Sequence, residues 1–418
     1  MGSLITLPLD IPNVKVLKTE TNAAGDYLIT VTSTLDSARC RKCGHDIHKF
    51  HGSDQPLQLR HLPILGRRVY ILLRPKRYKC PYCSDHPTTT QKLAWYDPQS
   101  PHTRAYEEHV LLQLVNSTSQ DVSGKEQLGY DAVEGILERW ISPSVDWTEF
   151  DELSVLGLDE IALKKGHRDF VAIVTARLAT GRVVVLAVLA DRQKETVKAF
   201  LQSIPEPLRR TLHTVCTDMW EGYVNAVYEV FRREDGYTVE VVIDRFHVAQ
   251  KYHAGTDHLR KQELKRLKRD LPEEAYQQIQ GAMWPLRKSP TDLQPEEAAL
   301  LERLFAHSPA LKQARTLQED LTAIFEQPLS KEEARLKINA WCADVSASGL
   351  KCFDKFLITL HNWLDEITNY FHQRCNSGFV EGLNNKIKVI KRRCYGILNV
   401  THLFQRLYLD LEGYRLFT

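Results

Sequence analysis

Hydrophobic and polar positions change their period several times along the chain. Up to about residue 35 they alternate, as in Tyr27-Leu28-Ile29-Thr30-Val31-Thr32, which predicts strands with one buried face. The run Val69-Tyr70-Ile71-Leu72-Leu73 is β-rich and belongs to the next stretch of the chain. From Thr103 to about Ile141 the period becomes helical, with a polar break around Ser117 to Gly124 and a second helix from Tyr130 through Val133, Ile136, Leu137 and Trp140. Two short helices across a tight turn predict a helix-turn-helix. Pro143 and the polar residues after it place a boundary near 142–152.

Beyond that boundary come apolar runs at Val155 to Leu158, Phe170 to Arg177, Val183 to Ala190, Leu212 to Thr217 and Val239 to Ile243. Helical patterns separate only the later ones, at Glu195 to Ser203 and Glu221 to Phe231. Three adjacent strands followed by helix-separated strands predict a mixed sheet in an α/β domain. Residues from about 250 to 370 read helical throughout and carry many charges, as in His258-Leu259-Arg260-Lys261-Gln262-Glu263.

Charge alone adds little, because 55 Lys and Arg against 53 Asp and Glu leave a net +2. Basic residues concentrate locally instead, at Arg60 to Lys79, Arg260 to Arg269 and Lys386 to Arg393. No run approaches the roughly 18 apolar residues of a membrane span, and no charged segment followed by an apolar stretch opens the chain. A cytoplasmic protein without a membrane partner is expected.

Four of the nine cysteines stand in two Cys-x-x-Cys pairs, Cys40/Cys43 and Cys80/Cys83. Each pair aims two thiolates at one ion, and two pairs complete the tetrahedral shell that structural Zn2+ prefers. His45, His48 and His51 are alternative donors, although the simplest assignment needs none of them. Arg60, Arg67, Arg68, Arg74, Lys76, Arg77 and Lys79 lie between the pairs and would present positive charge to phosphates.

Two apolar strands end in an acid, at Leu158-Asp159-Glu160 and Thr217-Asp218-Met219-Trp220. Carboxylates at the ends of neighbouring strands converge readily on a pair of hard cations, Mg2+ or Mn2+, of the kind that activates phosphoryl transfer. A strand-end aspartate serves equally well as a helix cap. A third acid, Glu381, stands near a helix start, and Asn385 and Lys388 follow on the same helical face. Lys386, Lys391, Arg392 and Arg393 extend a basic stripe there, which predicts contact with DNA. Asp244 also ends a strand and competes with Asp218, but the adjacent Arg245 would oppose a metal ion. Trp220 and Trp363 are read first as core aromatics and second as platforms for a flipped base.

The chain resembles insertion-sequence transposases of the ISL-three group over nearly its full length. The markers are Leu158-Asp159-Glu160, Lys164-Lys165-Gly166-His167, Asp218-Met219-Trp220 with Tyr223, Asp244-Arg245-Phe246-His247-Val248, and Asn376-Ser377 through Glu381-Gly382-Leu383-Asn384-Asn385-Lys386. The resemblance implies a zinc ribbon and helix-turn-helix ahead of an RNase H-like catalytic domain. Asp159, Asp218 and Glu381 would form its DDE triad, with Asp244 and His247 as an accessory Asp-x-x-His element and Lys388 matching a Glu-to-Lys spacing. The Tyr and Arg that precede this Glu in some transposase groups are absent.

The expected domains are 1–100 (β platform and zinc module), 101–145 (helix-turn-helix), 152–250 with 371–418 (catalytic) and 251–370 (helical insertion). The implied activity is cleavage and strand transfer at terminal inverted repeats of double-stranded DNA. It would be performed near the nucleoid by a homodimer or larger assembly holding both ends and the target. The competing reading is a DNA-binding regulator derived from such an enzyme.

Overall fold

The computed structural model describes residues 8–162, 170–232, 236, 238–374, 378–393 and 399–418. They divide into one unit of Met1–Ile141 with Tyr408–Thr418 and a second of Ser142–Leu407.

The first unit opens with β1 (Val14–Thr21), β2 (Tyr27–Ser33), β3 (Ala38–Arg39), β4 (Asp46–Ile47), β5 (Lys49–Ser53), β6 (Leu57–Ile64), β7 (Arg67–Leu73), β8 (Lys76–Lys79) and β9 (Thr88–Thr90). One sheet has the order β1-β2-β7-β6, with β2 and β7 parallel. Its alternating positions Ile29, Val31, Val69, Ile71 and Leu73 turn inward and meet Leu93, Trp95 and Tyr96. A second sheet, β5-β8-β9, and the β3-β4 hairpin carry the cysteine pairs.

Helices α1 (Arg104–Leu114), α2 (Ser119–Glu126) and α3 (Tyr130–Trp140) follow. The polar break expected around 117–124 is therefore mostly a helix of its own. It escapes a hydrophobicity reading because only Ser119 and Val122 of α2 are buried, and its start is set instead by the Thr118 side chain capping Asp121 N. Gln127 in the left-handed region ends α2, and α3 begins three residues later, which gives the helix-turn-helix its tight corner. Tyr106, Val110, Leu111 and Leu114 pack on Val122, Val133, Ile136 and Leu137. The buried Glu107 ties α1 to α3 by accepting from Arg139 (2.5 Å) and Trp140 (2.7 Å), with Ser100 donating at 2.6 Å. Burial alone would raise its pKa, but the donors His102, Ser100, Trp140 and Arg139 win and hold it down to about 2.

The second unit is built on β10 (Val155–Ala162), β11 (Phe170–Arg177), β12 (Val183–Leu189), β13 (Thr214–Thr217) and β14 (Glu240–Ile243), in the order β12-β11-β10-β13-β14. The first three form an antiparallel meander, and β13 and β14 join parallel to β10. This is the RNase H-like arrangement. Helices α4 (Lys194–Ser203), α5 (Glu206–Arg209) and α6 (Glu221–Phe231) connect the later strands. The period of two along each strand sorts side chains to two faces. Leu156, Leu158, Val215 and Val241 pack with α4 and α6, while Val155, Cys216 and Val242 join a separate core.

That second core is formed by the helical insertion. It comprises α7 (Arg245–Asp270), α8 (Glu273–Gln277), α9 (Pro295–His307), α10 (Pro309–Glu326), α11 (Lys331–Ala347), α12 (Asp354–Asn362), α13 (Leu364–Thr368) and α14 (Tyr370–Gln373). Tyr252, Trp341, Phe353 and Phe356 form its aromatic centre, with Tyr252 stacked on Phe353 at 4.5 Å. Trp363 packs against both cores of this unit, as the core reading of that residue expects. Two further helices close the chain, α15 (Gly378–Arg393) and α16 (Val400–Phe417).

Candidate active site and zinc ribbon

Register places the strand-end acids. Leu158 on β10 pairs with Thr217 on β13, and Thr217 pairs with Ile243 on β14. Each of these residues is followed by an aspartate, so Asp159, Asp218 and Asp244 occupy consecutive positions across three parallel strands spaced by roughly 4.8 Å. Strand alternation puts Asp159 with Val155, and Asp218 with Cys216, on the sheet face that the helical insertion covers.

Negative charge concentrates at Asp218. Its Oδ1 is buried without a hydrogen-bond partner among the described residues. Burial, reinforced by the charges of Asp159 and Glu160, pushes its pKa up to about 6 against the opposing pull of His247 and Arg192. The hydroxyl of the fully buried Tyr223 is also unpartnered among the described residues. Its pKa is raised first by burial and then by Asp218, Glu160 and Asp159. An orphaned carboxylate oxygen within a group of acids fits a divalent cation, which would discharge the repulsion and fill the unused acceptor.

The neighbouring acids have different partners. Asp159 Oδ1 accepts from the Glu160 amide at 2.6 Å. Glu160 is paired with Arg192, whose guanidinium lies 4.1 Å over Trp220 and 4.7 Å over Phe170. The Trp220 indole N–H donates to the Arg192 carbonyl at 3.3 Å. Gly222 makes room for that indole, since a Cβ there would lie 2.6 Å from Trp220 Nε1. Arg192 belongs to no sequence motif, and nothing in the sequence alone singles it out.

Asp244 is only 5 % exposed and caps α7 by accepting from Phe246 N at 3.0 Å. The charge of Arg245, expected to oppose a metal, is directed to Glu326 at 2.7 Å. His247, one turn along α7, lies within electrostatic reach of Asp218.

Glu381 is placed by the backbone of α15, and its side chain lies outside the described residues, as do the Lys164-Lys165-Gly166-His167 and Asn376-Ser377 markers. Leu383, Ile387 and Ile390 bury one face of α15. Glu381, Asn385, Lys388 and Arg392 recur at helical spacing along another, with Lys388 and Arg392 exposed. Lys386 and Arg393 are partly exposed. Lys391 donates to the carbonyl of Ala162, anchoring α15 to the end of the strand that carries Asp159.

In the first unit, the β3-β4 hairpin presents Cys40 and Cys43, and the turn after β8 presents Cys80 and Cys83. Gly44, at φ +74°, returns its amide to the Cys40 carbonyl at 2.9 Å and shapes the first knuckle. All four sulfurs lie within 4.8 Å of one another, with Cys43–Cys80 at 3.6 Å and Cys80–Cys83 at 3.7 Å. A tetrahedral zinc site with Zn–S near 2.3 Å requires sulfurs about 3.8 Å apart, so the donor set fits structural zinc. Among the described residues no histidine joins the group; the His45 ring lies tilted against Tyr82 at 5.0 Å, and His48 and His51 are exposed. Without metal the thiols oppose one another. Amides of Cys43 and Lys42 hold Cys40 down to about 6, whereas burial and the neighbouring thiols push Cys83 up to about 12.

Known proteins related to this chain over most of its length are transposases. A transposase family, the DDE transposases of the ISL3 type, matches residues 156–407. The zinc finger of the transposases IS204, IS1001, IS1096 and IS1165 matches residues 36–83. The chain is 28 % identical over 377 residues to the transposase for insertion sequence element IS1001 of Bordetella parapertussis, covering 90 % of this chain and 89 % of the relative. It is 23 % identical over 397 residues to the transposase for insertion sequence element IS1557 of Mycobacterium tuberculosis, covering 90 % and 86 %. Among the described residues no helix is long and apolar enough to cross a membrane. The chain belongs to the ISL3 family of DDE transposases, enzymes of insertion sequences that carry a structural zinc ribbon.

Proposed function

We propose that Asp159, Asp218 and Glu381 hold two Mg2+ or Mn2+ ions that serve both hydrolysis of the phosphodiester at each transposon end and strand transfer by the freed 3′-hydroxyl. The observation that carries this reading is the unpartnered, buried oxygen of Asp218, in register beside Asp159. Bound cations would supply a lowered pKa for the attacking oxygen and neutralisation of charge at the leaving one. The protein's own residues do the positioning. Arg192 neutralises Glu160, so that Asp159 and Asp218 remain the acids presented at the strand ends. Asp244 supports the site as a cap on α7, which orients His247 toward Asp218.

Lys388 and Arg392, on the face of α15 that also carries Glu381, contact the DNA backbone, together with Lys386 and Arg393. Lys391 contributes as the anchor of the helix. The zinc ribbon and helix-turn-helix read the terminal inverted repeats, and two ends are held by a homodimer or larger assembly at the nucleoid. Domain roles follow the same division: 1–100 and 101–145 for recognition, 152–250 with 371–418 for chemistry, and 251–370 as an insertion.

The test is cleavage of a labelled duplex carrying the element's terminal repeat. Wild type should cut at the repeat boundary with Mg2+ or Mn2+, and Glu381→Gln should bind the duplex without cutting it. Undiminished cutting by Glu381→Gln would remove that residue from the triad.

A further inference from the structure

A groove of about 620 Å³ runs between α7 and the segment that starts α12. Its walls carry Lys251 and His258 on one side and Lys351 and Lys355 on the other, all exposed. Among the described residues no carboxylate lines it. Close helix packing shapes the floor, because a Cβ at Gly255 would meet Phe353 Cδ1 at 2.8 Å and the Cys352 carbonyl at 3.0 Å. Tyr252, stacked on Phe353, makes that floor rigid.

Several cations of α7 are paired within the helix. Arg260 and Lys261 pair with Asp257, Arg266 pairs with Glu263, and Arg269 pairs with Asp270. Those facing the groove have no ion pair among the described residues, and neither do Lys351 and Lys355. The exposed Asp354 beside Cys352 leaves the balance positive. Lys265 and Lys268 are also exposed without an ion pair among the described residues, but only along the groove do unpaired cations of two segments face one another with no carboxylate in the lining, an arrangement suited to a polyanion.

We propose that this groove is a second DNA-backbone site, separate from the α15 stripe. Lys251 and His258 are spaced by roughly 10 Å of helix rise, about three nucleotide steps measured along a duplex axis at 3.4 Å each. Lys351 and Lys355 face the same strand from the opposite wall. The proposal rests on the transposase reading only in taking DNA as the polyanion.

The test uses the full-length, zinc-loaded protein and compares Lys251→Ala/Lys351→Ala/Lys355→Ala with wild type. Affinity for an arbitrary duplex of roughly 30 base pairs is measured from low to moderate salt. The slope of log affinity against log salt should fall in magnitude by about 2–3, at about 0.9 for each phosphate that is no longer neutralised. Lys312→Ala, an exposed lysine on α10 outside the groove, should change it far less. An unchanged slope in the triple variant, with its thermal transition intact, would overturn the groove while leaving the transposase reading in place. So would loss of inorganic-phosphate binding with DNA binding unaltered, since the groove would then serve a free anion. Failure of wild type to bind any duplex would instead count against the transposase reading itself.

Discussion

Asp218→Asn should reduce cleavage at the transposon end by about a thousandfold or more, a loss of roughly 4 kcal/mol in transition-state stabilisation, while DNA binding persists. The substitution keeps the shape of the side chain and removes the charge on which a hard cation depends. It also relieves native strain of an electrostatic kind. The carboxylate is buried beside Asp159 and Glu160 with one oxygen unpartnered, and its pKa stands well above the ordinary carboxylate range. The variant should therefore melt at the same temperature as wild type or higher, which separates lost chemistry from lost structure. Asp244→Asn is the matched comparison. Asparagine caps a helix about as well as aspartate, so α7 should keep its start and cleavage should survive. The reverse pattern, with Asp218→Asn active and Asp244→Asn dead, would transfer the second metal ligand to Asp244.

The second large effect concerns the zinc ribbon. Its own core comprises little more than Ala38, Cys40, Ile47, Tyr78 and Cys80, with Cys83 packed alongside. So small an apolar cluster cannot offset the conformational entropy of the surrounding loops. Structural zinc contributes on the order of 10 kcal/mol in comparable modules, so the metal rather than the packing holds these strands together. Cys80→Ser should abolish stoichiometric zinc by metal analysis and open residues 36–83 to limited proteolysis. Specific recognition of the terminal repeat should weaken at least tenfold relative to bulk DNA. A full complement of zinc in the variant would contradict the four-cysteine site.

How these features stand in the sequence follows from their physical origin. The continuous apolar run of Phe170–Arg177 and the helical period of Tyr130–Trp140 are local signals, and both elements form where the pattern places them. The cysteine pairs are similarly readable, because spacing within each knuckle already dictates a shared ion. Helix α2 is not readable by hydrophobicity, since it buries little and is held by a threonine cap. The side-by-side order of Asp159, Asp218 and Asp244 comes from strand register, which no local residue pattern specifies. Arg192 acquires its place from Glu160, Trp220 and Phe170, residues brought together only by the sheet. The same is true of the basic groove, whose walls are about a hundred positions apart in the chain.

If the carboxylates act through metal ions on the scissile phosphate, sulfur substitution at that phosphate reports on the contact. Each stereoisomer of a phosphorothioate is placed at the repeat boundary, and cleavage is followed in Mg2+ and in Mn2+. Hard Mg2+ accepts sulfur poorly, whereas Mn2+ tolerates it better. One isomer should be cut at least tenfold more slowly than the normal phosphate in Mg2+, with much of that deficit recovered in Mn2+. Sulfur effects of equal size in the two metals, for both isomers, would contradict metal contact with the phosphate.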